Sequence, residues 1–428
     1  MNYNRNEKIM QIHQDTLIIG VDIAKRTNYA RAQDDRGLDL AKALKFDNRH
    51  TGFQALLQWI QDLKESFGKT HVIIGMEPTG HYWLPLAHML EDHDLHYVTV
   101  NTMHVSRSKE FDDNSPSKND VKDAKVIAQL VKDGRFSEPV LPEGVYAELR
   151  QGMNIHDWLT KRLNRIKAKI QNWFDRYFPE FTDVFKDWEG KAALQILEMN
   201  LLPYELAGMN DETILDEMKK GASRAVGLKR VRLLKEAAST SIGIRTGRRM
   251  AKRELALLLQ EYHELVQELS LLEEELKELI EPIPAAKQML AMKGVGAMTV
   301  AGFFAEVGDL NNYDDPRQLL KLAGLNLRRN ESGAHKGQTR ISKRGRKKLR
   351  ALLFRVAMPL SANNPAFKKL HDYYRNRPDN PLTGKQSLVA LCGKLLRIFF
   401  VLGTRQCDFD EERMIRDIPH FRDTQEAA

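Results

Sequence analysis

The sequence predicts an α/β region followed by a helical remainder. Three observations lead there. Short apolar runs rich in β-branched residues occur only in the first third, at Thr16–Ile23, His71–Met76 and His96–Val100. Helix-period stretches fall between them. After about residue 143 the strand signals stop and only helical periodicity continues.

The elements follow in order. TLIIGVDI is a buried strand ending in an acid. Residues 27–33 and 38–46 read as two more strands. Phe53, Leu56, Leu57, Ile60 and Leu63 share one face of a helix over 51–66. HVIIGM is the next buried strand, followed by a helix at about 82–92, a strand at 96–100 and a helix at about 119–133. Residues 146–176 and 190–237 read as helical. From Arg249 to Ile280, apolar residues recur at Ala251, Leu255, Leu258, Tyr262, Leu265, Leu269, Leu272, Leu276 and Leu279, a heptad seam. That stripe needs a cover: either an intramolecular hairpin or a dimerising coiled coil, with the spacing favouring neither. Pro282 and Pro284 end the helix. A basic helical region runs to about 404, and the last twenty residues are polar and expected to be loose. The expected domains are 1–142, 143–285 and 286–428.

Composition narrows the function classes. A chain of 428 residues fits about two or three domains. Two cysteines, Cys392 and Cys407, exclude a disulfide scaffold and a cysteine-rich zinc module. No apolar run of transmembrane length is seen, and the polar N-terminus carries no signal core, so a cytoplasmic protein without a membrane partner is expected. Net charge is +8. Between Arg328 and Arg350, ten Lys and Arg face one acid, Glu331, so this segment alone exceeds the net charge of the chain. Such density, broken by Gly, Ser and Thr, suits a nucleic-acid backbone better than a solvated face. Its cations are Arg328, Arg329, Lys336, Arg340, Lys343, Arg344, Arg346, Lys347, Lys348 and Arg350. Upstream, Lys293-Gly294-Val295-Gly296 reads as a helix-hairpin-helix-type turn whose glycines let backbone approach a phosphate.

Four carboxylates stand at suggestive places. Asp22 and Glu77 close strands. Asp120 and Asp123, at i and i+3, share one helix face. Strand ends of an open α/β sheet border the crevice where sites form. Clustered carboxylates call for a hard cation, Mg²⁺ or Mn²⁺, and two such ions can drive phosphoryl transfer. Taken singly, each acid is also explained as a strand-closing or helix-dipole residue.

With these contexts assembled, VDIAK, MEPTGHYW and NDVKDAKVIAQLV resemble the DEDD transposases of the IS110 insertion-sequence family, and the acid order resembles the ribonuclease H-like fold of Holliday-junction resolvases. LAGLNLRRNESGAHKGQTRISKRGRKKLRALL is similar to a second motif region of that family. The turn before it reads Met-Lys-Gly-Val-Gly, where the family often has Ile-Pro-Gly-Ile-Gly. The resemblance covers about 15–136 and 286–404, and in the middle Phe178-Pro179-Glu180.

It implies that Asp22, Glu77, Asp120 and Asp123 form the metal-binding set. It implies that Ser332 of the Ser332-Gly333 pair attacks DNA, with Ser342 and Thr339 as lesser rivals. Without the resemblance, that pair reads as a turn. His81, Tyr82 and Trp83 are expected to pack or to lie near substrate. The implied protein is a recombinase that cuts and rejoins donor and target DNA through a serine–DNA intermediate, guided by a structured noncoding bridge RNA. A homodimer assembling to a tetramer and one composite centre joining acids and serine are further implications. The competing readings are a metal-dependent junction resolvase, which needs no serine, and a non-catalytic RNA-binding scaffold.

Overall fold

The computed structural model describes residues 5–113, 120–222, 226–328, 331–332, 335–336 and 339–416, without the side chains of 109–113, 331, 332, 335 and 336. The chain divides into two compact units, Met1–Leu141 and Pro142–Ala428.

The first unit is built on one six-stranded mixed sheet. Its strands are β1 (Thr16–Asp22), β2 (Thr27–Gln33), β3 (Leu44–Asp47), β4 (His71–Met76), β5 (Tyr97–Val100) and β6 (Phe136–Ser137). They lie in the order β3-β2-β1-β4-β5-β6. β1, β4 and β5 are parallel; β2, β3 and β6 run antiparallel to their neighbours. This mixed sheet is consistent with a ribonuclease H-like domain. The predicted strand over 38–46 is shorter than expected: Asp39 makes only an isolated bridge to Gln33, and the strand proper begins at Leu44.

Strand alternation sorts the core onto two faces. Leu17, Ile19, Val21, Ile74 and Met76 pack on one side with the helices His50–Phe67 and Leu84–Asp92. Ile18, Ile73 and Val98 pack on the other, with Val126, Ile127 and Val131 of the helix Asp120–Lys132. Trp83 belongs to the first face, a packing residue.

Among the described residues, the second unit is helical apart from two small ribbons. The helices Gly144–Tyr177 and Arg248–Ile280 form an antiparallel hairpin. The indole of Trp173 donates to the carbonyl of Ala251 at 2.9 Å inside it. The heptad stripe is covered within the chain. Leu255, Leu258, Tyr262, Leu265 and Leu269 are buried with Ile166, Trp173 and Phe174 of the facing helix and with short helices of the intervening segment, while Leu276 joins the C-terminal core. The seam is therefore not an open face waiting for a second copy. Among the described residues, the predicted run 190–237 is four short helices, the second of them opened by Pro203.

The C-terminal core gathers Phe303, Phe304, Leu353, Phe367, Leu391, Leu395 and Phe399. The helix Gly384–Arg405 is, among the described residues, the one long and apolar enough to cross a membrane, yet Leu391, Cys392, Leu395, Leu396 and Phe399 are spent in this core. The expected loose tail is partly ordered: Glu411–Ile415 is a short helix whose Met414 and Ile415 are buried. Residues 417–428 lie outside the described part.

Candidate acidic centre and basic segment

Asp22 is the last residue of β1. Two positions earlier, on the same face, stands Gly20. A Cβ there would lie 2.1 Å from the carbonyl oxygen of Ala124 and 2.4 Å from the amide nitrogen of Ala128. The helix Asp120–Lys132 thus rests directly on the β1 backbone. Gly75 of β4 pairs with Gly20 and is equally confined, with Val131 Cγ2 at 2.3 Å from a Cβ. Only strands without side chains at this crossing admit the helix so closely.

The approach carries the first helical turn to the end of β1. One carboxylate oxygen from each of Asp22, Asp120 and Asp123 lies within 4.8 Å of the others, and Asp123 is buried. Oxygens sharing a Mg²⁺ at about 2.1 Å stand at most about 4.2 Å apart, so a small side-chain turn brings these three into ligating range. The donor set is hard oxygen alone, which fits Mg²⁺ or Mn²⁺.

Glu77 follows Met76, the register partner of Val21, and so stands beside Asp22 at the neighbouring strand end. Its carboxylate accepts the hydroxyl of Thr79 at 2.9 Å. It is not one of the three gathered carboxylates.

Asp39 fastens the same helix from the side. It pairs with Arg31 at 2.5 Å and Lys125 at 3.3 Å and accepts from Gln33 at 3.1 Å. Burial works against its charge, but these donors outweigh it and hold its carboxyl below the usual range. Sequence reading placed Asp39 in a strand over 38–46 and missed this clamp, because its partners Arg31, Gln33 and Lys125 lie on other elements.

In the second unit, Gly294 sits at φ +95, and a Cβ there would meet Leu360 Cδ2 at 2.8 Å. Gly296 precedes the helix Ala297–Val307 in open space, with no side-chain cap. The carbonyl of Lys293 accepts from Asn364 at 3.3 Å. The turn is thus fastened on one side and open on the other.

The basic segment is less uniform than its composition. Leu327–Arg328 pairs with Arg340–Ile341, and Glu331–Ser332 pairs with His335–Lys336, Ser332 opposite His335. Arg329 and Gly333, and the side chains of Ser332 and Lys336, lie outside the described residues. Arg328, Arg340, Lys343, Arg344 and Lys347 are exposed. Three other cations have partners within the fold. Arg346 is half-buried and donates to the carbonyl of Glu306 at the end of the helix Ala297–Val307, where Arg150 also donates, to Ala305 at 2.7 Å. Burial and the nearby Arg346 push the Arg150 guanidinium down to about 10, so it stays charged. Lys348 pairs with Asp157 at 2.8 Å and Asn154 at 2.7 Å, and Arg350 donates to Ala323 at 2.8 Å. Charge counting could not separate these from the outward cations, because their partners are remote in sequence. Ser342 is engaged in a turn, accepting the amide of Arg344 at 3.3 Å.

Comparison with known proteins agrees with this layout. Residues 19–179 match the family model DEDD_Tnp_IS110, described as a transposase, and residues 286–372 match that of the transposase IS116/IS110/IS902 family. The chain is 24% identical to the pilin gene-inverting protein of Moraxella bovis over 398 residues, 92% of this chain and 97% of that protein. It is 23% identical to the insertion element IS116 uncharacterized 44.8 kDa protein of Streptomyces clavuligerus over 402 residues, 92% of this chain and 96% of that one. It is 34% identical to the transposase for insertion sequence element IS1111A of Coxiella burnetii over 125 residues, 28% of this chain and 33% of that one. Matched in both its acidic first unit and its basic second one, the chain belongs to the IS110 family of transposases.

Proposed function

We propose that this transposase cuts and rejoins DNA at a metal-assisted acidic centre, using Ser332 as nucleophile. The observation that carries the acidic half is the gathering of Asp22, Asp120 and Asp123 within 4.8 Å at the open end of the parallel strands. These three would hold the ion, with Glu77 beside them. A divalent ion bound there supplies positive charge to a phosphate in transfer.

The chain's own groups do the rest. The Ser332 hydroxyl attacks the scissile phosphorus. A serine–phosphate ester forms, the bond from phosphorus to the deoxyribose oxygen breaks, and that oxygen leaves as a hydroxyl, taking up a proton as the serine gives one up. Rejoining reverses the step: a deoxyribose hydroxyl attacks the ester and serine is released. Arg328 and Arg340 pair on a ribbon that flanks the Ser332 ribbon in sequence, and their cations suit the charge that builds on phosphate oxygens. The resemblance drawn from the sequence further supports guidance by a structured RNA, a helix-hairpin-helix-type phosphate contact at Lys293–Gly296, and a dimer or tetramer as the working form.

The test is cleavage of insertion-element ends by the full chain with its flanking RNA. Ser332→Ala is expected to abolish the covalent protein–DNA species, and Asp22→Asn is expected to abolish cleavage. Continued cleavage by Ser332→Ala would assign the chain to hydrolysis, as in a junction resolvase. Unchanged activity in Asp22→Asn would remove the acidic centre from the reaction.

A further inference from the structure

The Phe178-Pro179-Glu180 turn closes the helix Gly144–Tyr177, and Glu180 points back into the fold. Its carboxylate accepts the hydroxyl of Ser241 at 2.6 Å and the amide of Ile242 at 3.0 Å. The amide of Ile244 donates to the carbonyl of Arg176 at 2.8 Å. Gly243 lies flat on Tyr177, where a Cβ would come within 2.1 Å of the carbonyl oxygen. The loop 241–244 is therefore braced at every residue.

What this braced loop displays is apolar. Ile242 is 84% exposed, the highest value for a large hydrophobic side chain among the described residues, and Ile244 is 48% exposed. One exposed apolar residue is ordinary on a surface. An isoleucine held outward by four backbone and side-chain contacts is preorganised to meet something.

The surroundings give the partner's charge. Residues 226–256 hold nine Lys and Arg against two acids. Lys235 and Lys252 are consumed by Asp211 and Glu205. Arg248 lies over the Tyr204 ring at 4.3 Å. Lys229, Arg232, Arg245, Arg249 and Arg253 are exposed, on the outer sides of the helices Leu228–Ser239 and Arg248–Ile280 and on the loop between them. No ion pair among the described residues engages these five. Arg249 also stands in a first helical turn that holds no acid, where positive charge opposes helix formation, so the fold does not account for it.

We propose that this end of the helical hairpin is a second DNA-contacting surface: its arginines bind the phosphates of duplex DNA, and Ile242 presses as an apolar wedge against the bases between them. Exposed cations before and after an exposed apolar residue suit a bent duplex, in which the wedge opens a base step and the arginines follow the flanking backbone. A second copy presenting the same face is disfavoured by like charge. The inference concerns binding and does not rest on the serine or the metal centre.

The experiment measures binding of the full-length protein to a labelled DNA duplex, with chelator present, across a salt series. Replacing Arg245, Arg249 and Arg253 together by Gln is expected to lower the slope of log K against log salt by about 2–3. Ile242→Ser is expected to weaken binding about tenfold while leaving that slope unchanged. All four side chains are exposed, so an unaltered circular dichroism spectrum is expected for both variants. Lys343→Gln with Arg344→Gln, in the other basic segment, verifies that the assay reads lost phosphate contacts. Unchanged affinity and slope in the triple variant would overturn the proposal. So would loss confined to an RNA hairpin probe, or loss of self-association in sedimentation with DNA affinity intact.

Discussion

The carbonyl oxygen of Ala124 lies 2.1 Å from where a Cβ on Gly20 would stand. That approach decides where Asp120 and Asp123 fall relative to Asp22, because all three are within one helical turn or two strand residues of the crossing. Gly20→Ala must push the helix off β1. Overpacking of this kind costs about 1–3 kcal/mol. The expected result is a lower urea midpoint together with weakened Mg²⁺ binding. A variant with an unchanged midpoint and intact metal binding would show that the crossing does not set the site.

Mg²⁺ binding should register as stability. Ligand at a hundredfold excess over its dissociation constant stabilises the native state by about 2.7 kcal/mol. Adding Mg²⁺ is expected to raise the thermal transition of the first unit, and Asp123→Asn to remove that rise. An equal rise in wild type and Asp123→Asn would place the ion elsewhere.

The basic segment should split into two classes of variant. Arg344→Ala, at an exposed position, is expected to leave stability unchanged and to reduce the salt slope of DNA binding by about 0.9. Arg346→Ala removes a half-buried donor from the Glu306 carbonyl and is expected to cost about 1–3 kcal/mol of stability. Urea denaturation beside DNA titration distinguishes them. The assignment fails if Arg346→Ala is as stable as wild type.

Glu180 gives the braced loop a pH dependence with a definite sign. Burial works against its charge, but the Ser241 hydroxyl and the Ile242 amide prevail and hold its carboxyl below its ordinary 4.5. A depressed folded value means the brace is at full strength above the ordinary value and is lost as pH falls through the lowered one. Hydrogen exchange at the Ile242 amide should therefore accelerate, beyond its intrinsic pH trend, only in the acid range below 4.5. Glu180→Ala, which removes the acceptor, should show fast exchange already at neutral pH. A protected Ile242 amide in Glu180→Ala would discard the brace.

Much of the architecture was legible because it is written locally. Alternation and apolar runs marked β1, β4 and β5, and helical spacing marked His50–Phe67 and Asp120–Lys132. The i, i+3 spacing of Asp120 and Asp123 put both on one helix face before any fold was known. The heptad stripe was equally plain, but its covering was not, since apolar spacing demands burial without naming the partner. The Phe-Pro-Glu turn was visible as a motif, and its purpose was not, because Ser241 and Ile242 lie some sixty residues away.

The amino-acid order alone therefore determined the α/β-then-helical plan, the two charged regions and the candidate acids, all properties of contiguous residues and their period. Tertiary structure decided which three carboxylates come within 4.8 Å, that Glu77 accepts from Thr79, and that Arg346, Lys348 and Arg350 have partners remote in sequence. Those outcomes depend on how segments distant in sequence meet, and no local pattern carries that distance.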